Sequence, residues 1–398
     1  MPFWLGAPEN SFYQAFVRGM SSALEELGHE PVYLPFEESG KYSRDDSLIL
    51  MKTMTRQAPH MVLDVACWGC GLSRANSPPA FMVSEIPYAA WLFDHPFNQG
   101  LNVVVASKLF AVYPDRGHAQ QIRQVFQNLK LEDGVFAPPA VQPESAEPPG
   151  VRDIDREIDV LYVGNLEWEA TERFWHQPHV LRSMPQGFDV SFCDALADEI
   201  LCRPERPLHL AVETVLRARP GNAVLNLNPH MRLVEHHFRY VFRRDAVFAL
   251  ASAGLSIRVV GKGWKRAGLP ANAHLQEPVS YQQMFQLAAH ARICLDASTY
   301  TDGANDRVFS YMLNGAICFT NASGYLRNAL GDDGGAQFYS FTNLGGLVDS
   351  IRFWLARREH LAEAGARGRA AVLGAHTWRH RMQALLNDLM RERSGATG

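Results

Sequence analysis

Short apolar runs alternate with helix-length amphipathic segments along most of this chain, and that alternation predicts a parallel α/β architecture. Phe3-Trp4-Leu5 reads as a strand ending at Gly6, followed by the loop Ala7 to Asn10. A helix capped by Ser11 runs to about Leu27, where Gly28 ends it, and Pro31 to Pro35 has room for a second strand. His60 to Cys67, Pro87 to Phe93 and Leu101 to Ser107 are further strand-like runs. Strands separated by helices imply right-handed crossovers.

Ala137 to Val151 contains five prolines and little periodicity, which marks a linker. A fresh strand, Ile158 to Gly164, follows it. Residues 166–253 read as mostly helical, with a long helix from about Met231 to Ala253. Alternation resumes with the strand Leu255 to Val260, the turn Gly261-Lys262-Gly263, a helix over Tyr281 to His290 and a strand over Ile293 to Ala297. Two or three helices finish the chain, and no repeat at solenoid spacing is present. The expected domains are 1–150, then 151–377 with a helical insertion at about 166–253, then 378–398 as a helix packing back towards the first domain.

Composition narrows the class. A chain of 398 residues suits two domains, and 47% hydrophobic with 20% charged residues describes a globular protein. A formal charge of −4 argues against general nucleic-acid binding. The Arg-rich stretch from Arg352 to Arg393 is interleaved with Glu359, Glu363, Asp388 and Glu392, as a solvated helix face would be. No apolar run approaches the ~20 residues of a membrane span, and no secretory leader is evident, so the cytoplasm is the expected compartment. Six cysteines do not make a disulfide framework, and Cys294 and Cys318 read as small core residues. Cys67-Trp-Gly-Cys70 has metal-pair spacing without the second pair that a structural zinc site needs, and no metal is expected.

The densest signal is Asp302 to Asn321. A polar loop leads into a short helix whose Val308, Phe309 and Met312 share a face; Asn314-Gly315 stops it, and Ala316 to Thr320 has strand length. Free N–H groups at such a helix start suit an anion. The stretch Asn305-Asp306-Arg307-Val308-Phe309-Ser310, with Asn314-Gly315-Ala316, resembles the donor-site helix of the group 1 glycosyltransferases. The similarity is greatest to the branch related to spore-maturation glycosyltransferases. Glu85 to Pro96 resembles a Pro-Tyr strand and Asp-x-Pro turn of the same branch.

That resemblance implies an α/β fold of two Rossmann-like domains facing a cleft, the GT-B architecture, with the site between them. It implies transfer of a sugar from a nucleoside-diphosphate sugar to an acceptor hydroxyl or amide, with no bound metal or cofactor. A UDP-sugar is the first expectation for the donor, with dTDP- and GDP-sugars as alternatives; the acceptor is a glycan, a protein or a small molecule. Arg307 then suits the diphosphate, against the plainer reading of an ion pair with Asp302 or Asp306. Gly261 and Lys262 at a strand end suit close approach to the ligand, against an ordinary surface turn. Gly164-Asn165 is expected against the diphosphate, or as a simple strand-ending turn. Asp302 and Asn305 are expected on sugar hydroxyls, or as helix caps. Ser310 stands where the family carries the ribose-binding acid. Asp94 and His95 are the expected catalytic pair, or the shapers of the turn before Pro96. Gly6, Asn10 and Tyr13 are expected on the acceptor side, or in packing. Ser310 also leaves open a non-catalytic nucleotide- or glycan-binding scaffold, and the same fold admits a nucleotide-sugar epimerase.

Overall fold

The computed structural model of the chain describes residues 2–8, 13–36, 59–65, 86–93, 95–96, 109–125, 134–143, 156–219, 226–331 and 335–395. They fall into two compact units, Met1–Gln142 with His376–Gly398, and Pro143–Ala375. Asn10, Ser11, Asp94, the Cys67–Cys70 pair and the run Leu101 to Ser107 lie outside the described residues.

The first unit holds β1 (Pro2–Pro8), β2 (Glu30–Phe36), β3 (Met61–Val65), β4 (Tyr88–Trp91), β5 (Leu109–Tyr113) and β6 (Val135–Phe136). They form one parallel sheet in the order β2-β1-β3-β4-β5-β6. Every residue of β3 and β4 is buried, as expected of parallel strands covered on both faces. Helices α1 (Tyr13–Glu26) and α2 (Gly117–Val125) belong to this unit. β1 does not stop at Gly6, which sits inside the ladder opposite Leu34 and Asp64. The apolar run ends there, but backbone pairing needs no apolar side chain. The Pro-rich stretch also departs from expectation at its start: Ala137, Ala140 and Val141 are buried, and Val141 pairs with Thr377.

The second unit contains β7 (Ile158–Val163), β8 (Ile257–Val260), β9 (Ala273–Gln276), β10 (Ala291–Leu295), β11 (Ile317–Asn321) and β12 (Ala336–Tyr339). All pairs are parallel, in the order β12-β11-β10-β7-β8-β9. Read from the β9 edge, the strands come third, second, first, fourth, fifth, sixth in chain order, so the winding reverses between β7 and β10. Ligands of open α/β sheets bind at the carboxyl ends of the strands at such a reversal. The apolar pattern does not announce β9 or β12. β9 is a short edge strand with Leu275 exposed, and only pairing with β8 defines it.

Its helices are α3 (Pro178–Ser183), α4 (Val190–Cys202), α5 (Leu208–Ala218), α6 (Leu227–Ser252), α7 (Tyr281–Ala289), α8 (Asp306–Leu313), α9 (Gly324–Leu330), α10 (Leu344–Leu355) and α11 (Arg358–Ala375). A last helix, α12 (Trp378–Gly395), returns to the first unit. Four helices and a strand thus follow β11, where two or three helices were expected. α6 begins a turn before Met231, with Asn226 accepting a hydrogen bond from the Asn228 N–H at 3.3 Å. Its 26 residues span about 39 Å, roughly twice the reach of the strands it connects. Ala246, Val247, Leu250 and Ala251 pack in the core with β7 and β8, so the second half is an ordinary crossover helix rather than insertion. A crossover runs antiparallel to its strands, and the first half of α6 therefore overhangs their carboxyl ends. No described helix is long and apolar enough to cross a membrane.

Candidate functional site

The turns after β7 and β8 are built as one piece. Gly164 N–H donates to Val260 O at 2.9 Å, and Leu166 N–H donates to Lys262 O at 2.9 Å. Asn165 Oδ1 accepts from the Lys262 N–H at 2.9 Å, and Gly164 O accepts from Trp264 Nε1 at 2.7 Å. Gly261 has φ +147°, and a Cβ there would stand 2.3 Å from Gly164 O, so only glycine allows this approach. The structure thus brings Gly164, Asn165, Gly261 and Lys262 together. Lys262 is exposed, and Lys265 beside it pairs with Glu277 at 2.5 Å.

Across the reversal, β10 ends at Leu295 and Asp296 opens the loop that leads to α8. Asp296 is 0% exposed and is the partner of Arg307: Nε and Nη2 lie 3.1 and 3.0 Å from its Oδ1. Neither acid named from the sequence holds that guanidinium. Thr320 Oγ1 donates to Asp296 Oδ2 at 3.4 Å, and the Tyr339 hydroxyl donates to Asp296 O at 3.0 Å, tying β11 and β12 to the same point. Burial and the neighbouring Asp296 push Asp306 up to about 6, although Arg307 pulls it down. One buried oxygen of Asp306, Oδ2, has no hydrogen-bond partner among the described residues.

Ser310 is 0% exposed, and its Oγ lies 3.1 Å from the Tyr281 hydroxyl. Position 310 is therefore closed by a serine–tyrosine pair. Asn305 caps α8, accepting from the Arg307 N–H at 3.0 Å. Asp302 lies instead against the start of α9, its Oδ1 3.1 Å from where a Gly324 Cβ would be. Negative charge is favourable at a helix N-terminus.

The overhang of α6 supplies groups that the sequence reading missed. Glu235 is buried, is bridged by Arg239 at 3.1 Å and accepts from Thr299 Oγ1, in the loop after β10, at 3.3 Å. His236 Nε2 lies 2.8 Å from Glu167 Oε2, and the Tyr240 hydroxyl donates to Glu167 Oε1 at 2.9 Å. Arg243 Nη1 donates to Asn165 O at 3.2 Å, with its guanidinium 5.3 Å from the Tyr240 ring. One helix thus spans both loops that flank the reversal. Residues 235, 239 and 243 share a helix face by spacing alone, but nothing in that spacing tells what the face meets.

In the first unit, Gly6 lies within β1, and Tyr13 opens α1 with its ring 5.8 Å from Phe93 and 6.3 Å from Phe16. His95 is 5% exposed and packs edge-on against His118 at 4.7 Å. Trp91 is core, 5.5 Å from Trp378.

Comparison with known proteins bears on the fold. Residues 243–387 match the family model described as "Glycosyl transferase-like". No curated protein sequence matches the chain significantly. Among solved structures, a sucrose-phosphate synthase from Thermosynechococcus elongatus aligns with TM-score 0.57 and 11% identity over 100% of both chains. HepE of Anabaena, in complex with UDP-glucose, aligns with TM-score 0.54 and 11% identity over 98% of this chain and 100% of that one. AviGT4, a glycosyltransferase involved in avilamycin A biosynthesis, aligns with TM-score 0.53 and 13% identity over 99% of this chain and 98% of that one. The chain thus has the fold of the GT-B glycosyltransferases and carries, over residues 243–387, the sequence pattern of a glycosyl transferase-like family.

Proposed function

We propose that this protein is a glycosyltransferase that moves a sugar from a nucleoside-diphosphate sugar to an acceptor hydroxyl or amide, its own side chains and N–H groups taking the place of a metal. The observation that carries the reading is the reversal between β7 and β10. The glycine turns of β7 and β8 lie on one side of it and the start of α8 on the other; the β8 turn and α8 fall within the family match. The N-terminus of α8 favours negative charge, and Lys262 stands exposed at the β8 turn, so both suit a diphosphate. Such donors, fixed before the reaction, stabilise charge as it develops on the leaving group.

Within the family we place the chain beside the spore-maturation branch, on Arg307-Val308-Phe309 and Asn314-Gly315-Ala316. A UDP-sugar is the first donor to try, with dTDP- and GDP-sugars next. Gly6, Asn10 and Tyr13 remain the acceptor-side assignments and Asp94 and His95 the catalytic pair, with Asn10 and Asp94 assigned from the sequence alone. Free Cys193, Cys202, Cys294 and Cys318 support a reducing compartment and hence the cytoplasm.

A thermal-shift panel with UDP, GDP, dTDP, CMP and ADP, with and without magnesium, tests the reading. A ligand at ~100 times its Kd adds about 2.7 kcal/mol to the folded state. One nucleoside diphosphate is expected to raise the melt selectively in the absence of magnesium; flat melts throughout would sink the proposal. Ser310 favours a second reading, a binding protein without turnover, because the ribose-acid position is closed. Release of free diphosphate from the matching nucleotide sugar separates the two: turnover is expected, and binding without release supports the scaffold.

A further inference from the structure

Several cations stand near the carboxyl edge of the second sheet, and most are already neutralised. Arg307 is held by Asp296, Arg239 by Glu235, Lys265 by Glu277 and Arg266 by Glu169. Arg243 and Lys262 have no carboxylate partner among the described residues. Lys262 is exposed and lies within the field of Glu277. Arg243 is half-buried; its hydrogen bond is the 3.2 Å contact to Asn165 O, and its Nε–H is buried with no acceptor among the described residues. Beneath the same turn lies a second unmet donor. Tyr162, the penultimate residue of β7, is 0% exposed, and its hydroxyl has no partner among the described residues. A Cβ on Gly164 would stand 2.6 Å from that hydroxyl. Arg243 and Arg307 are the two cations whose fields reach it.

A half-buried cation without a counter-ion and a buried hydroxyl without an acceptor are each costly, because neither regains the hydrogen bonds it would make in water. One anion at the Gly164–Asn165 turn would give both a partner. We propose that Arg243, carried by the overhanging half of α6 and backed by the Tyr162 hydroxyl, is the cation that binds the β-phosphate of the donor diphosphate. Arg307 is then the internal counter-ion of Asp296. The assignment rests on the nucleotide-sugar reading above and deepens it: phosphate recognition comes from the long helix rather than from the motif at 305–310. Tyr240 fixes the guanidinium from below, and Glu167, shared by Tyr240 and His236, fixes Tyr240.

The test is calorimetric titration of the full chain with UDP, GDP, dTDP and ADP, and with their monophosphates. It uses wild type, Arg243→Ala, Arg243→Lys and Tyr162→Phe. In Arg243→Ala the affinity for the binding diphosphate is expected to fall at least 10-fold while the monophosphate loses less than about 3-fold. Arg243→Lys should recover part of that loss, and Tyr162→Phe should lower diphosphate affinity 2- to 5-fold. Unchanged diphosphate affinity in Arg243→Ala overturns the assignment and leaves the proposed function standing. Equal losses for mono- and diphosphate overturn it too, since they would place Arg243 on the nucleoside. A wild-type chain that binds no diphosphate at all overturns the function and this assignment together.

Discussion

Arg307 and Asp296 form an ion pair in which the carboxylate is wholly buried. Removing one member of such a pair strands the other without water, at a cost of about 3–5 kcal/mol. Arg307→Ala is therefore expected to destabilise the second unit by that amount in urea unfolding, with Asp296→Asn/Arg307→Met regaining much of it. A single variant as stable as wild type would show that the pair is not closed in solution. Asp306, one residue earlier, carries the opposite lesson. Its folded value of about 6 stands above the ordinary 3.8, chiefly through burial, so the folded state holds its proton more tightly than the unfolded one. Stability then falls as pH rises from about 4 to 6, and above that window the loss is complete. Asp306→Asn should be more stable than wild type at pH 7, by on the order of 3 kcal/mol, and match it at pH 4. Equal melts at both pH values would remove the burial argument.

At the scale of elements, the two glycine turns and the overhang of α6 decide what the sheet edge can do. Gly261→Ala would drive a Cβ to 2.3 Å from the Gly164 carbonyl oxygen, at a φ that L-residues avoid. It should cost about 1–3 kcal/mol of stability. It should also lower diphosphate affinity, because the β7 turn must move; a crystal structure of the variant with an unmoved Gly164 would contradict this. The existence of these turns was legible, since glycines after an apolar run mark a strand end. Their interlocking was not, because it rests on hydrogen bonds between residues almost a hundred positions apart. The same holds for α6. Its periodicity gave a long helix, while Glu235, Arg239 and Arg243 found their partners only through the packing of that helix over the sheet.

For the whole molecule, the end of the chain completes the first unit. Trp378 of α12 is buried against Phe16 and Trp91, at 5.7 and 5.5 Å. Trp378→Ala should cost about 3–5 kcal/mol. Hydrogen exchange should show protection lost in β1, β3 and β4 and retained in β7, β10 and β11; uniform loss would argue against two separately cored units. His376, at the junction, is buried and held down to about 4 from its ordinary 6.5. The unfolded chain takes up its proton first, so the stability of the first unit is full above pH 6.5 and declines as pH falls towards 4. His376→Gln should flatten that decline in acid-denaturation curves followed through α12.

The sequence by itself determined the α/β class, the two-part division, nearly all the buried strands of the second unit and the polar loop before α8. These follow from apolar periodicity and local turn chemistry, which act between near neighbours. The tertiary structure alone decided which acid holds Arg307, that Ser310 is sealed by Tyr281, that Gly6 lies inside a strand and that α6 overhangs the carboxyl ends of β7 and β8. The polar edge strand β9 likewise exists only through its pairing with β8. Partner choice among charged groups depends on distances across the fold, and in a buried setting those distances decide which charges cancel and which are left for a ligand.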